Sequence, residues 1–323
     1  MIEVVALSKR YGSVEAVHDV SFTVGSGQVL GLLGPNGAGK TTVLKVLTCF
    51  HFPSAGEAKV DGISVLEDPV GVKKRVGYLP ENAPLYGDLT VEEYLAFVAD
   101  ARLMDKSMRA GRIDQVLGEC GLSGVRSRRI ETLSKGYRQR VGLAQAIVHD
   151  PSILILDEPT SGLDPNQILE IRELVRRLGE SKTVILSTHI LQEVEAVCSR
   201  VLILNEGRIA GQGRPEEIAA TLKGGDSWDL TLAGADARKV AERLKALGGL
   251  AAVSEPTTNA DGTVSVTLSF ESAAAPVAAA PVAAGERIFD WAVASSLKIT
   301  ALARRRVSLE DIFVKLTQEG DRP

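Results

Sequence analysis

Aromatic residues are scarce in this chain: two Trp, five Tyr and seven Phe make up 4% of its 323 residues. So few flat rings leave little from which to build a base-stacking surface. Cationic excess is missing as well. Lys and Arg total 37 against 41 Asp and Glu, for a formal net charge of −4, whereas nucleic-acid binding normally carries a basic bias. The three cysteines, Cys49, Cys120 and Cys198, have neither metal-ligand nor disulfide-framework spacing and read as reduced thiols of a cytosolic protein. No apolar run approaches 18 residues, so no bilayer span is expected. The opening "MIEVVALSKRYGS" lacks the cationic start and long apolar run of a signal peptide. Any membrane role must therefore come through a partner. What remains is ordinary globular composition, 45% hydrophobic and 24% charged, with length for about two domains.

Residues 2–7, 20–24 and 29–33 read as short strands. The last of them, "VLGLL", is apolar throughout and suits a strand covered on both faces. The dipeptide "DG" at 61–62 predicts a turn between antiparallel strands within 57–65. From 90 to 149 the pattern becomes helical, and Thr90 and Glu93 in "TVEEYLAFVADARLM" have capping-box spacing. Buried strands return in "SILIL" (152–156), "TVILST" (183–188) and "RVLILNEG" (200–207), with a helix over 165–179 between the first two. That alternation predicts a parallel α/β sheet.

Composition shifts near "KGGDS" (223–227), which predicts a first domain over 1–222 and a second over 223–323. The second reads as strand 228–232, helix 235–247, strand 249–254, strand 263–270, helix 285–296 and strand 297–303. This is the βαββαβ order of a small ferredoxin-like α+β domain. The uncharged repeat "APVAAAPVAA" (275–284) reads as a linker or loop insertion spanning 273–285. "VSLEDIFVKLTQ" reads as a closing amphipathic helix with Leu309, Ile312, Phe313 and Leu316 on one face.

The chemistry gathers in two stretches. "GPNGAGKT" (34–41) follows an apolar strand, opens a helix, and matches the phosphate-loop pattern G-x-x-x-x-G-K-[ST] at every fixed position. Gly34, Gly37 and Gly39 let the backbone curl until successive N–H groups face phosphates. Lys40 adds a point charge and Thr41 offers a hydroxyl to Mg²⁺, so a nucleoside triphosphate is the expected ligand. "ILILDEP" ends a second apolar strand in two carboxylates. Asp157 stands where doubly wound folds place ligand groups and can hold the magnesium through water, while Glu158 can aim at an attacking water.

A further stretch, "LSKGYRQR" (133–140), puts a serine and a glycine at a helix start, which is itself an anion site. Together with "SGLD" (161–164) and "STH" (187–189), these motifs have the order and spacing of an ATP-binding cassette, and residues 2 to about 222 resemble the ATPase subunit of ABC transporters. The resemblance implies a P-loop NTPase (RecA-like) core with an antiparallel β subdomain and a helical subdomain. It also explains the second anion site. Cassettes of this family face each other head to tail, and Ser134, Lys135, Gly136 and Tyr137 then belong to the partner's nucleotide.

Carried over residue by residue, the resemblance makes Glu158 the general base, worth about 10²–10⁴ in rate, and His189 the switch histidine at the γ-phosphate. Tyr11, in "LSKRYGS", is placed to stack on adenine. Pro35, Asn36, Ala38 and Thr42 complete the phosphate loop, and Ser161 and Asp164 belong to the loop that communicates across the dimer. Two motifs depart from the family pattern. The signature usually reads L-S-G-G-Q, whereas Lys135 and Tyr137 stand here, and Lys135 either adds charge toward a phosphate or faces solvent. Within "GYLPENAPLY" (77–86), Glu81 occupies the position of a glutamine that touches Mg²⁺ and water; it is expected at the metal together with Thr41 and Asp157.

"PENAPLY" with "LSKGYRQR", and the closing "SLEDIFVKLT", resemble cassettes of the ABC-2 type export class. The implied cofactors are ATP and Mg²⁺. The implied partners are a second cassette, as a homodimer in preference to a heterodimer, and a separate ABC-2 type permease that holds the chain peripherally on the cytoplasmic face of the membrane. A non-transport cassette acting on the ribosome or DNA is the alternative. Against it stand a single cassette per chain, no sustained heptads and no basic patch.

Overall fold

The chain begins with a long hairpin. Strands β1 (Ile2–Tyr11) and β2 (Val14–Val24) pair antiparallel and turn at Gly12, φ 57°. Both run beyond the apolar segments that signal them, because Lys9, Arg10 and Glu15 extend the ladder as a polar end, with Arg10 exposed and Lys9 and Glu15 half-buried. Strand β3 (Val29–Leu33) follows, with all five side chains buried, and then helix α1 (Lys40–Leu47). Strands β4 (Ala55–Val60) and β5 (Ile63–Ser64) are joined by Asp61 and Gly62 at φ 48° and 77°. Two successive positive φ values make the tight hairpin turn that "DG" predicts. The first sheet has the order β2-β1-β4-β5.

The second sheet carries the chemistry. After helix α2 (Pro69–Arg75) come β6 (Val76–Leu79) and a helical region divided into α3 (Val91–Ala101), α4 (Lys106–Glu119) and α5 (Lys135–Ile147). Thr90 and Glu93 form the complete reciprocal cap of α3. Strand β7 (Ile153–Asp157), helix α6 (Pro165–Gly179), β8 (Thr183–Thr188), α7 (Leu191–Val197), β9 (Arg200–Asn205) and β10 (Arg208–Gly213) complete the unit. The sheet order is β10-β9-β3-β8-β7-β6. From β9 to β6 the pairs are parallel, and β10 is an antiparallel edge. The single strand read over 200–207 is corrected here: Glu206 and Gly207, φ 47° and 74°, turn the chain back into β10. Glutamate at a left-handed position is unusual, so the residues alone conceal the turn.

Leu30 and Leu32 of β3, Val43, Leu44 and Leu47 of α1, and Ile153 and Ile155 of β7 share one buried cluster with Ile2, Val4 and Leu7 of β1. The phosphate loop is thus mounted on a strand and a helix that are both anchored in the core.

The structure, a computed structural model, describes residues 1–215, 217–218, 227–234, 236–244, 247–270 and 280–304. Met1–Pro215 lies in one compact unit and the described residues Ser227 to Arg304 in another. The second unit contains β11 (Ser227–Ala233), helix Ala237–Leu244, β12 (Leu250–Val253), the short β13 (Thr257–Thr258), β14 (Val264–Phe270), helix Ala280–Ala294 and β15 (Lys298–Arg304). Its sheet is antiparallel, in the order β12-β14-β11-β15. Val264, Val266, Leu268 and Phe270 alternate inward against Val240, Leu244, Ile288 and Trp291, the period-two pattern of a sheet covered on one face. The second helix begins at Ala280 rather than 285, because Pro281 falls in its first turn, where the missing N–H costs nothing. The closing helix expected over 307–318 lies outside the described residues, as do Arg305 and Arg306 of the basic run and residues 273–279 of the Ala/Pro stretch.

One buried group predicts a pH effect. His149, between α5 and β7, bonds the Val76 carbonyl through Nε2 at 3.2 Å, while its Nδ1 is buried without a partner. Burial, aided by the Arg102 cation, holds the imidazole down at about 4. An unfolded histidine titrates near 6.5, so below that pH the unfolded chain takes up a proton that the folded one refuses. The contribution of His149 to stability is therefore full above pH 6.5 and is lost as the pH falls toward 4, about 2 kcal/mol by pH 5. His149→Gln keeps a donor for Val76 and should narrow the difference in melting temperature between pH 7 and pH 5. An unchanged difference would contradict the assignment.

Candidate active site

Strand register assembles the site. Leu33 of β3 pairs with Thr188 of β8, Ser187 of β8 with Asp157 of β7, and Leu156 of β7 with Leu79 of β6. The residues that follow these strands, from Gly34, His189, Glu158 and Pro80 onward, therefore emerge along one edge. This is the carboxyl-terminal edge at which open parallel sheets bind ligands. A cleft of about 410 Å³ opens there, and it includes Pro35, Asn36, Gly37, Ala38, Gly39, Lys40, Thr41, Thr42, Glu81, Glu158, Ser161 and His189. Ala16 of β2 lines it as well, a contact with no signal in the sequence.

Two glycines of the loop have specific reasons to be there. Gly39 has φ 99°, and a Cβ on it would lie 2.6 Å from the Ala16 carbonyl; a Cβ on Gly34 would lie 2.4 Å from the Leu204 carbonyl. The Lys40 ammonium is buried, 6% exposed, and donates to the carbonyls of Gly34 at 2.6 Å and Pro35 at 3.2 Å. It also stands 3.5 Å from Glu158 Oε1.

Asp157 is buried. Its Oδ1 accepts from the Ser187 hydroxyl and, at 3.4 Å, from the Thr41 hydroxyl. Among the described residues no cluster of three or more His, Cys, Asp or Glu is set to cage a metal. One hydroxyl and one carboxylate still suit magnesium, which completes its shell with phosphate oxygens and waters. Glu81 is exposed at the rim of the same cleft.

Glu158 sits at φ 48°, in the left-handed region, a conformation that costs an ordinary residue on the order of 1–3 kcal/mol. Its amide donates to the Ser187 carbonyl at 3.1 Å and lies 3.2 Å from the Ser187 hydroxyl. These bonds fix the twist that aims the carboxylate across the cleft. There Oε2 meets His189 Nδ1 at 2.8 Å. Nothing in "STH" (187–189) marks Ser187 locally, since its partners lie on the neighbouring strand.

The remaining expected site residues stand apart from the residues that line this cleft. Ser134 caps α5 by accepting from the Tyr137 amide at 3.4 Å. Gly136 is buried against the Gln167 side chain, and Lys135 is exposed, with its ammonium filling the space beside Gly162. Tyr137 is exposed. Asp164 caps α6, accepting from the amides of Asn166 and Gln167 at 3.1 and 3.0 Å. Tyr11 is 40% exposed, with the Lys9 ammonium 5.1 Å from its ring and His51 edge-on at 5.5 Å.

Comparison with known proteins agrees with this geometry. Residues 17–161 match the ABC transporter family model. The chain is 37% identical over 224 residues to the ABC transporter ATP-binding protein NatA of Bacillus subtilis, covering 68% of this chain and 91% of that protein. It is 34% identical over 233 residues to the probable multidrug ABC transporter ATP-binding protein YbhF of Escherichia coli, covering 72% of this chain and 40% of YbhF. Among solved structures, the ATP-binding subunit of an ABC transporter superposes with a TM-score of 0.63 at 32% identity, over 68% of this chain and 92% of that one. CbiO1 of Clostridium perfringens, part of the transporter complex cbiONQ, gives 0.63 at 28% identity, over 68% and 90%.

Proposed function

The chain belongs to the ABC transporter family as an ATP-hydrolysing, ATP-binding subunit, and from that premise we propose that it drives an ABC-2 type exporter. In this reading two copies close head to tail on two ATP molecules and move a separate permease on the cytoplasmic face of the membrane. The observation that carries the reading is the division of the site. One edge of the sheet gathers the phosphate loop, Asp157, Glu158 and His189, while the second anion-binding helix start, Ser134–Gly136, stands outside that cleft. A chain with half of two sites is completed by a second chain.

On binding, the triphosphate offers Lys40 oxygens in place of the Gly34 and Pro35 carbonyls it now holds, and the ammonium moves off Glu158. Thr41 and Asp157, with Glu81 at the rim of the cleft, would hold magnesium, which would supply positive charge to the phosphate oxygens. Glu158 accepts the proton of the attacking water as the oxygen bonds to the γ-phosphorus and the bond to the β,γ-bridging oxygen breaks, leaving ADP and phosphate. His189, bonded to Glu158, orients that carboxylate and faces the γ-phosphate. Ser134 and Gly136 of the partner copy add their N–H groups to the same phosphate, and Ser161 and Asp164 relay the closure. Tyr11 stacks on the adenine.

Export is favoured by the multidrug description of YbhF and by the "PENAPLY" stretch around Glu81. The second unit is read as ferredoxin-like, which its antiparallel order β12-β14-β11-β15 supports, with a dimer-supporting role. Among the described residues no helix is long and apolar enough to cross a membrane, which agrees with a separate permease. A cavity of about 300 Å³ lined by Phe50, Tyr78, Pro80 and Pro84, with Lys73 and Arg102 at its edge, is the groove we assign to it. Phe50 is 66% exposed, so an aspartate is tolerated there without burial, yet it puts a charge where an apolar segment docks. In native cells the wild-type protein should sediment with membranes and Phe50→Asp should shift to the supernatant. Wild-type protein found wholly in the supernatant would contradict the permease assignment.

A further inference from the structure

Glu193, in the first turn of α7, is 1% exposed, an expensive place for a carboxylate. Its two oxygens are both engaged. Oε1 accepts from the Thr160 hydroxyl, and Oε2 accepts from the Thr188 hydroxyl at 2.7 Å. Both threonines are themselves buried. Arg172 Nη2 lies 4.0 Å from Oε1, at the limit of an ion pair, and its buried Nε has no partner. The pairing is too loose to explain the carboxylate as the anchor of a salt bridge.

What the two threonines hold is more informative. Thr160 is the third residue of a tight turn whose ends are Glu158 and Ser161, closed by the Ser161 amide donating to the Glu158 carbonyl at 3.1 Å. Thr188 immediately precedes His189, and its hydroxyl also accepts from the Ile190 amide at 3.0 Å. His189 and Glu158 then meet at 2.8 Å. The chain therefore closes a ring that runs from Glu158 through Thr160, Glu193, Thr188 and His189 back to Glu158. One buried carboxylate clamps the turn that carries the base to the strand end that carries the histidine.

We propose that Glu193 is a positioning residue for hydrolysis, which sets the His189–Glu158 pair by holding Thr160 and Thr188 together. The inference rests on the assignment of Glu158 as the base. Glu193 does not line the cleft; it acts through the geometry of Glu158 and His189, which do. Because the phosphate loop is anchored separately by β3 and α1, loss of the clamp misplaces the base and leaves nucleotide binding in place. A carboxylate suits the role better than an amide, since both hydroxyls donate to it and an amide nitrogen accepts from neither.

The test compares purified full-length wild type, Glu193→Ala, Glu193→Gln, Thr188→Val and Glu158→Gln by steady-state MgATP hydrolysis, nucleotide affinity and melting temperature. Glu193→Ala should lower kcat about 10- to 100-fold, the scale of an ångström-sized misplacement, with KM and nucleotide affinity within about threefold of wild type. Glu193→Gln, which keeps one acceptor and the volume, should recover much of kcat. Thr188→Val combined with Glu193→Ala should cost less than the product of the two single losses, because both act on one clamp. A kcat for Glu193→Ala within twofold of wild type would overturn the proposal. So would a loss shared equally by nucleotide affinity and melting temperature with no rescue by glutamine, since that marks a merely structural residue. An inactive Glu158→Gln beside a fully active Glu193→Ala overturns this inference alone; a Glu158→Gln that hydrolyses normally removes the assignment beneath it.

Discussion

Glu158→Gln should lower the ATP turnover of this protein by about 10²–10⁴-fold, the range expected when a general base loses its proton acceptor. The substitution is nearly isosteric. It leaves an oxygen to accept from His189 and preserves the left-handed backbone at this position, which is fixed by the Ser187 carbonyl and hydroxyl rather than by the side chain. What disappears is the charge that draws a proton from water. The same change removes the anion 3.5 Å from the Lys40 ammonium, so the resting protein holds Lys40 less tightly and nucleotide affinity should hold or rise. Turnover near the wild-type rate, with binding intact, would end the assignment of Glu158 as base.

Lys40→Ala should fail one step earlier. Hydrogen bonds to a charged group contribute about 1.5–3 kcal/mol each, so with Lys40 assigned to the phosphates, loss of its ammonium should weaken MgATP binding about 10- to 100-fold. Hydrolysis should fall further, because the lysine also neutralises charge in the transition state. The ammonium donates to the carbonyls of Gly34 and Pro35 at 2.6 and 3.2 Å. Removing it takes a donor from the buried Gly34 carbonyl, while the Pro35 carbonyl keeps the Ala38 amide at 3.2 Å, so some stability should go with the affinity. Equilibrium titration with a fluorescent ATP analogue separates the two variants. Glu158→Gln binds and does not turn over, whereas Lys40→Ala does neither well. Wild-type affinity in Lys40→Ala would contradict the placement of the phosphates.

Legibility of this protein in its sequence follows the range of the interactions. "GPNGAGKT" and "ILILDEP" state their chemistry locally, because a phosphate loop needs fixed glycines and a lysine within eight residues. Strand β3 was readable for the same reason: five apolar residues bounded by glycine admit few other states. The Thr90–Glu93 cap is a four-residue signal, and its structure is the expected one. Features that depend on contacts across the chain were silent. Ser187 supports both Asp157 and Glu158 from a neighbouring strand, and only the β7–β8 register reveals it. Nothing local marks Glu193, since acids are common in a first helical turn; only the fold shows its burial and its two threonine donors. Strand β10 was hidden because its turn places a glutamate where asparagine or glycine is usual. Lys135, left open between phosphate and solvent, is exposed beside Gly162 of its own chain.

We propose that two copies of the chain complete each other's sites. Size-exclusion chromatography with light scattering on Glu158→Gln, with and without Mg-ATP, tests it most directly, because a hydrolysis-deficient chain accumulates in its closed state. The account predicts a monomer without nucleotide, a dimer with Mg-ATP, and no dimer when Ser134→Arg is added to block the second anion site. A Glu158→Gln protein that binds Mg-ATP tightly and stays monomeric, or a dimer indifferent to Ser134→Arg, would contradict it.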